Sequence, residues 1–196
     1  MIGILGSEQV QFGNTIVSRE TSRGLVRLCE LIRGWNDTVR LVSAGDLPIL
    51  DQRHIANSLC LVPMLNQIQP GSVIDIGSGG GFPGLVIAIA TGVPVHLVES
   101  DLRKASFLRE AARLIGVDAT VHAQRVEAMS LQADVVTARA FAPLHRLWPI
   151  AAARLKRGGR GLFLSGRSVP EEARSRDRHG LIWTSQDGTV FEVAAE

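Results

Sequence analysis

The sequence predicts an α/β fold: a doubly wound, mostly parallel sheet with helices on its faces and an antiparallel hairpin at its end. From residue 72 onward, short β-branched runs alternate with amphipathic helical segments, which is the pattern of parallel strands joined by crossover helices. A glycine-rich turn joins the first of these strands to the helix that follows it. Near the end of the chain, Asp187-Gly188 separates two apolar runs, and this dipeptide is a hairpin signal.

The part of the chain before the first core strand is predicted to be a helical cap. Residues 1–18 show no periodicity and are interpreted as a loose arm. From Ser18 to Trp35 the apolar side chains recur on one stripe, which predicts an amphipathic helix. A second helix is predicted over residues 51–66, and Pro63 should distort its end because proline has no backbone N–H to donate.

The predicted core consists of seven strands and three helices. The strands are expected at residues 72–77, 94–99, 119–124, 133–139, 160–165, 181–185 and 189–194, and the helices at residues 83–91, 103–115 and 143–156. We therefore expect a single domain over residues 1–196, in which a cap at 1–66 precedes a Rossmann-like core at 72–196.

The glycine-rich turn at residues 73–84 has the form of a cofactor cradle. Five glycines fall within its last eight residues, and Pro83 stands where a helix would begin. Glycine lets the backbone approach a ligand closely, and the N–H groups of a helix N-terminus face whatever is bound there. A flexible turn is the alternative. The second core strand ends in Glu99, however, and an acid at this point typically accepts hydrogen bonds from ribose hydroxyls. This context favours a cofactor site over a flexible turn.

Composition argues against several classes of protein. No apolar run reaches the roughly 20 residues that a membrane span needs, and the first residues lack signal-peptide features, so we expect a cytoplasmic protein. Cys29 and Cys60 lie far apart, which indicates free thiols and leaves zinc without a set of ligands. Of the 21 basic residues 19 are arginine, a side chain suited to phosphate contact, although a codon bias explains the same count.

Several short motifs carry a family resemblance. They are Trp35-Asn36, Arg53-His54-Ile-Ala-Asn-Ser58-Leu59, the Asp75–Gly84 turn, Lys104-Ala-Ser-Phe-Leu-Arg109, Arg125-Val-Glu127 and Arg139-Ala140. Together they resemble the bacterial small-subunit rRNA guanine-N7 methyltransferases, the RsmG/GidB family. The cofactor half matches best, whereas Arg40-Leu41-Val42, Asn57 and Ser165-Gly166 depart from the family pattern.

The resemblance implies the fold, cofactor and substrate of that family. It implies a class I methyltransferase fold that binds S-adenosylmethionine and methylates N7 of a guanine in a 16S rRNA loop near the decoding centre. The implied partner is 16S rRNA, the small ribosomal subunit or an assembly particle, with no metal and no membrane, and the protein is expected to be a monomer. The cofactor contacts expected from the resemblance and the turn are Gly77, Gly79, Phe82, Glu99, Val126, Glu127 and Arg139.

Arg139 is the candidate catalytic residue. It ends the fourth core strand, at the edge where ligands bind in open α/β sheets. Guanine N7 carries a lone pair and no proton, so its methylation needs alignment and no general base. A salt bridge from Arg139 to Glu99, Asp101 or Glu127 is the alternative interpretation.

The candidate substrate contacts are His54, Phe141 and Arg167. Each has a structural alternative: a hydrogen-bonded helix histidine for His54, packing beneath the next helix for Phe141, and a solvated loop for Arg167.

Other functions stay open on the residues alone. The same fold and cofactor serve methyltransferases that act on a different RNA or on a small molecule. Gly79, Gly81 and Gly84 also satisfy the dinucleotide pattern of a nicotinamide-dependent oxidoreductase, although the terminal hairpin disfavours it. A non-catalytic ribosome-associated binder is the third alternative, and the intact cofactor turn argues against it.

Overall fold

The computed structural model describes residues 3–5, 9–12, 15–139, 143–165, 181–185 and 188–195. The strands are β1 (Gly3–Leu5), β2 (Gln9–Phe12), β3 (Thr15–Ser18), β4 (Val73–Ile76), β5 (Val95–Val98), β6 (Ala119–His122), β7 (Ala133–Arg139), β8 (Leu155–Ser165), β9 (Leu181–Ser185) and β10 (Gly188–Ala194). The α-helices are α1 (Arg19–Trp35), α2 (Ala56–Leu59), α3 (Val62–Ile68), α4 (Gly84–Thr91), α5 (Leu102–Ile115) and α6 (Leu144–Ala152).

The N-terminal residues form a small antiparallel sheet of β1, β2 and β3. Val10, Phe12 and Val17 are buried in the same hydrophobic cluster as the inner face of α1. The prediction of a loose arm is therefore wrong. Each strand spans only three or four residues, too few for alternation to be recognised in the sequence, and the burial of these side chains stabilises the sheet.

The first predicted helix is confirmed and the second is not continuous. Helix α1 begins after Ser18, whose hydroxyl oxygen accepts a hydrogen bond from the N–H of Thr21 at 3.1 Å. The region predicted as one helix over residues 51–66 is divided into a π-helical turn (Asp51–Ile55), α2 and α3. Pro63 lies in the first turn of α3, where its missing N–H has no intrahelical partner to lose.

The main sheet has seven strands in the order β6-β5-β4-β7-β8-β10-β9. The first four pairings are parallel, and β10 runs antiparallel to both β8 and β9. This confirms the predicted sheet and its terminal hairpin. The carboxyl ends of β4, β5 and β7 therefore meet at one edge, where the glycine-rich turn, Glu99 and Arg139 lie.

Two hydrophobic clusters cover the two faces of the main sheet. One joins the cap with α4 and α5, and the other joins α6 with β8 and β10. Helix α6 ends earlier than predicted, and β8 already begins at Leu155 in place of residue 160. In the described ranges, no helix combines the length and the apolar character needed to cross a membrane.

Candidate cofactor and substrate site

The glycine-rich turn bends sharply after β4 and crosses the end of β5. Gly77, Gly79 and Gly81 have φ values of 70°, 52° and 90°, a region that side chains disfavour. The N–H groups of Gly77 and Ser78 both donate to the carbonyl oxygen of Val98, at 2.9 and 3.1 Å. The turn is therefore fixed by backbone hydrogen bonds, and its conformation requires glycine at these positions.

A fully buried carboxylate, that of Asp75, lies beneath the turn. It accepts hydrogen bonds from the N–H of Gly84 at 3.1 Å and from the hydroxyl of Thr137 at 3.1 Å, which joins β4 to α4 and β7. Burial raises the pKa of Asp75 to about 6, although hydrogen bonds from Ser78, Thr137 and Gly84 oppose the shift. At neutral pH this carboxylate is ionised and holds the start of α4 against the sheet.

Glu99 lies beside the turn, as predicted. One carboxylate oxygen accepts from the N–H of Gly79 at 3.0 Å and the other accepts from the N–H of Asp101 at 2.8 Å. The side chain is only 9% exposed. Since each oxygen of an ionised carboxylate has two lone pairs, both can still accept from a ligand hydroxyl. The predicted contact with ribose stays a prediction.

The space above the turn fits a ligand that approaches the backbone closely. Among the described residues, a Cβ placed on Gly79 would have only the carbonyl oxygen of Gly77 within 4 Å, at 3.8 Å. A Cβ on Gly81 would instead lie 2.6 Å from Leu85, and one on Gly84 would overlap Leu97 and Asp75. Gly81 and Gly84 are thus required by packing within the protein, whereas the volume at Gly79 is left open.

The mouth of the site brings together side chains from three elements. The ring of Phe82, in the turn, stacks on the ring of His54 from the cap, with centroids 4.9 Å apart and planes inclined by 22°. The guanidinium carbon of Arg139, at the end of β7, lies 5.1 Å from the centroid of Phe82, a cation–π distance. We call His54, Phe82 and Arg139 the mouth cluster.

Arg139 is cationic at neutral pH and does not form the salt bridges offered as its alternative. Burial lowers its pKa to about 10, while the charges of Asp75 and Asp46 oppose that change. No ion pair joins Arg139 to Glu99, Asp101 or Glu127, all of which lie in the described part of the chain. The side chain is partly exposed, so it can contact a ligand.

Val126 and Glu127 form a short 3₁₀ turn after β6. The side chain of Val126 is buried with Val98 and Met129 beneath the sheet edge, whereas Glu127 is exposed. A ligand held here would meet the backbone of Val126 and the side chain or backbone of Glu127. Phe141 and Arg167, the other two predicted substrate residues, lie outside the described residues.

Sequence reasoning includes Asp75 in the predicted turn without giving its carboxylate a role, and it misses Asp46 and Thr137. A carboxylate and a hydroxyl within otherwise apolar strands are a usable signal for Asp75 and Thr137, because such groups are buried only with partners. Asp46 carries no such signal. Its carboxylate lies 2.8 Å from the Arg53 guanidinium and 3.4 Å from Nε2 of His54.

The cysteines and the remaining acids and histidines do not suggest other chemistry. Burial raises the pKa of the Cys29 thiol to about 11, so it stays protonated and unreactive at neutral pH. Among the described residues there is no group of three or more His, Cys, Asp or Glu placed to hold a metal ion.

Residues 21–194 match the family model described as GidB, rRNA small subunit methyltransferase G. The ribosomal RNA small subunit methyltransferase G of Granulibacter bethesdensis is 50% identical over 157 residues, which cover 80% of this chain and 73% of that protein. The protein of the same name from Gluconobacter oxydans is 48% identical over 188 residues, covering 92% of this chain and 96% of that one. The chain belongs to this family.

Solved structures with low sequence identity share the fold. The T. thermophilus 16S rRNA N2 guanine methyltransferase RsmC, solved with AdoMet and guanosine, has a TM-score of 0.55 at 17% identity and covers 71% of this chain and 43% of that one. A variant of MtNAS, solved with S-adenosylmethionine, has a TM-score of 0.60 at 16% identity and covers 90% and 72% of the two chains. The predicted methyltransferase fold, the family and the enzyme class, with S-adenosylmethionine as cofactor, are confirmed.

Proposed function

We propose that this methyltransferase transfers the methyl group of S-adenosylmethionine to N7 of a guanine in 16S rRNA. The observation that carries the proposal is the match to the small-subunit rRNA methyltransferase family over residues 21–194. The geometry supports it through an open volume above Gly79, between an acid on one side and a cation at the mouth.

Each side of the site has a proposed part in holding the cofactor. Gly77 and Gly79 let the backbone approach the methionine portion, and Glu99 accepts hydrogen bonds from the ribose hydroxyls. Val126 and Glu127 border the adenine, while Phe82 and Arg139 close the opposite side. When bound, S-adenosylmethionine supplies an electrophilic methyl group on a cationic sulfur.

Methylation at guanine N7 requires the protein to align the base with the methyl group and to exclude water. N7 has a lone pair in the plane of the base and no proton to remove, so no side chain has to act as a general base. Arg139 is the proposed organising residue because it lies at the carboxyl end of β7 and keeps its charge at neutral pH. Phe141 and Arg167 are proposed to contact the base and the RNA.

The proposed partner is 16S rRNA, presented by the small ribosomal subunit or by an assembly particle, and the enzyme acts as a monomer in the cytoplasm. The many arginines suit phosphate contact, and binding that neutralises phosphates releases counterions. We therefore expect the affinity for RNA to fall steeply as the salt concentration rises, whereas the affinity for the cofactor should change little.

The test is to incubate the purified protein and labelled S-adenosylmethionine with small subunits from a strain that lacks this methyltransferase. The product should contain N7-methylguanine at a single rRNA position, found by mass spectrometry and by strand scission after reduction and aniline treatment. A methyl group on a ribose 2′-hydroxyl or an exocyclic amine would contradict the N7 mechanism. Salt-independent activity on a small molecule, with none on rRNA, would contradict the substrate.

A further inference from the structure

His54 is an unusual member of the mouth cluster because it is buried without satisfying its polar atoms. The residue is only 6% exposed, and neither ring nitrogen has a hydrogen-bond partner within the described residues. Nε2 lies 3.4 Å from a carboxylate oxygen of Asp46, which is an ion-pair distance outside hydrogen-bond geometry. The face of the ring stacks on Phe82.

The charge state of His54 suits a position beside an arginine. Burial lowers the pKa of His54 to about 4; the charge of Arg139 also lowers it, while the neighbouring Asp46 opposes the change. The imidazole is therefore neutral at pH 7 and can lie near the guanidinium without repelling it. Asp46 is ionised, since its contacts with Ser43, His54 and Arg53 outweigh the effect of burial and lower its pKa.

We propose that His54 is a positioning residue that fixes the ring of Phe82 and through it the guanidinium of Arg139. The inference rests on the proposed function, in which Arg139 contacts the cofactor or the guanine. This positioning role differs from a contact with the substrate, because it depends on the flat face of the His54 ring and not on the ring nitrogens.

The mouth cluster connects the cap to the proposed site of methyl transfer. His54 lies in the π-helical turn of the cap, Phe82 in the glycine-rich turn and Arg139 at the end of β7. A π-helical turn shifts the register of a helix by one residue and is often found at functional positions. Removing the ring of His54 would leave Phe82 free to turn away, and Arg139 would then lose the aromatic face that defines its position.

The test compares His54→Ala with His54→Phe, alone and combined with Arg139→Ala. Calorimetric titration measures the Kd for S-adenosylmethionine, and initial rates on small subunits measure KM and kcat. His54→Ala should raise the cofactor Kd by about 3- to 10-fold, the size of a lost aromatic stacking interaction. His54→Phe keeps the stacking face and should restore the Kd to within about 2-fold of the wild-type value. In the Arg139→Ala background, His54→Ala should have little further effect.

Different results would overturn the inference. An unchanged cofactor Kd in His54→Ala, with only a lower Tm, would make the residue structural. If His54→Phe were as impaired as His54→Ala, or raised only the KM for RNA, the ring nitrogens would be the functional feature. Full additivity of His54→Ala and Arg139→Ala would show that His54 does not act through Arg139. Arg139→Ala by itself tests the proposed function, because a variant with normal Kd and normal turnover would remove Arg139 from the site whatever His54 does.

Discussion

The glycine-rich turn and the mouth cluster are both proposed to border the cofactor, but they are built in different ways. The turn is held by backbone N–H groups that donate to Val98, Asp75 and Glu99. The mouth is held by the side chains of His54, Phe82 and Arg139, which come from distant parts of the chain. A backbone-built site depends on the presence of glycine, whereas a side-chain-built site depends on how the cap packs on the core. We therefore expect a substitution in the turn to abolish cofactor binding, and a substitution in the mouth cluster to weaken it by a smaller amount.

The largest effect is expected from Gly79→Val. The added side chain would project into the open volume above the turn, where the Gly77 carbonyl is the only group within 4 Å in the described part of the chain. The affinity for S-adenosylmethionine should fall by at least about 100-fold. Each tenfold loss of affinity corresponds to about 1.4 kcal/mol of binding free energy. Calorimetric titration with the cofactor measures this change.

Gly92→Val is the matched control for backbone strain. Gly92 also has a left-handed φ, of 70°, and a Cβ there would meet no atom of the described residues within 4 Å. Both variants should lose a similar amount of stability, about 1–3 kcal/mol for a side chain forced into this region. The cofactor Kd should stay normal in the control. Equal loss of binding in both variants would mean that strain, and not occupied volume, is responsible.

The pH dependence of stability should also distinguish the turn from the mouth cluster, because Asp75 and His54 contribute to it with opposite signs. Burial raises the pKa of Asp75 to about 6, so the folded protein gains protons before the unfolded chain does as the pH falls. This carboxylate therefore makes the fold less stable as the pH rises from about 4 to about 6, by about 3 kcal/mol. His54 has the opposite sign. Because burial lowers its pKa from 6.5 to about 4, the unfolded chain takes up the proton first, and stability is lost as the pH falls from 6.5 to about 4.

Single variants should separate the two contributions. Urea unfolding at several pH values between 4 and 6.5 gives the free energy of unfolding for the wild type, Asp75→Asn and His54→Phe. Every other titrating group is common to the three proteins, so differences from the wild type isolate each group. Relative to the wild type, Asp75→Asn should gain stability with rising pH and His54→Phe should lose it. Parallel curves for all three proteins would contradict both assignments.

The contrast between the two regions also explains what the sequence predicts and what it misses. The turn was predictable because a strand, five glycines, Pro83 and Glu99 form a local pattern whose geometry is imposed by the backbone. Gly81 and Gly84 match the same pattern, yet only tertiary contacts with Leu85, Leu97 and Asp75 show that they are required by packing. The local pattern thus predicts the shape of the turn, whereas the packing that requires glycine at positions 81 and 84 depends on tertiary contacts.

The cap was predicted less well for the same physical reason. Its N-terminal sheet depends on the burial of Phe12 and its neighbours. The π-helical turn at Asp51–Ile55 interrupts a segment whose sequence pattern predicts a regular helix. The stacking of His54 on Phe82 joins residues far apart in the chain, and a single sequence carries no signal for such a pairing. The sequence therefore identifies His54 as a candidate residue, but it does not predict that His54 stacks on Phe82.

The mouth itself should respond to Arg139→Ala by a smaller amount than the turn responds to Gly79→Val. Loss of charge-assisted hydrogen bonds worth about 1.5–3 kcal/mol corresponds to roughly a 10- to 100-fold effect. We expect it in the cofactor Kd, in kcat or in both, as measured by titration and by methylation rates on small subunits. Arg139→Lys should recover part of the loss, because it keeps the charge but not the planar fork. Wild-type kinetics in Arg139→Ala would contradict the assignment.

The smallest expected effect concerns the junction through which the cap reaches the core. Gly24 lies in α1, and a Cβ there would come within 2.7 Å of Cγ2 of Ile89 on α4. Alanine is favoured over glycine in a helix by roughly 0.8–1.0 kcal/mol, but overpacking a tight contact costs about 1–3 kcal/mol, so Gly24→Ala should destabilise the protein slightly. A Cβ on Gly34, in the same helix, would meet no atom within 4 Å in the part of the chain that the structure describes. Gly34→Ala should instead stabilise the protein by roughly 0.5–1 kcal/mol. Urea denaturation measures both, and in an Ile89→Ala background the cost at Gly24 should disappear, because the methyl group that opposes the new Cβ is gone. Equal stabilisation at both glycines would mean that α1 does not pack on α4 as closely as the structure shows, and the cap could then not hold His54 against Phe82.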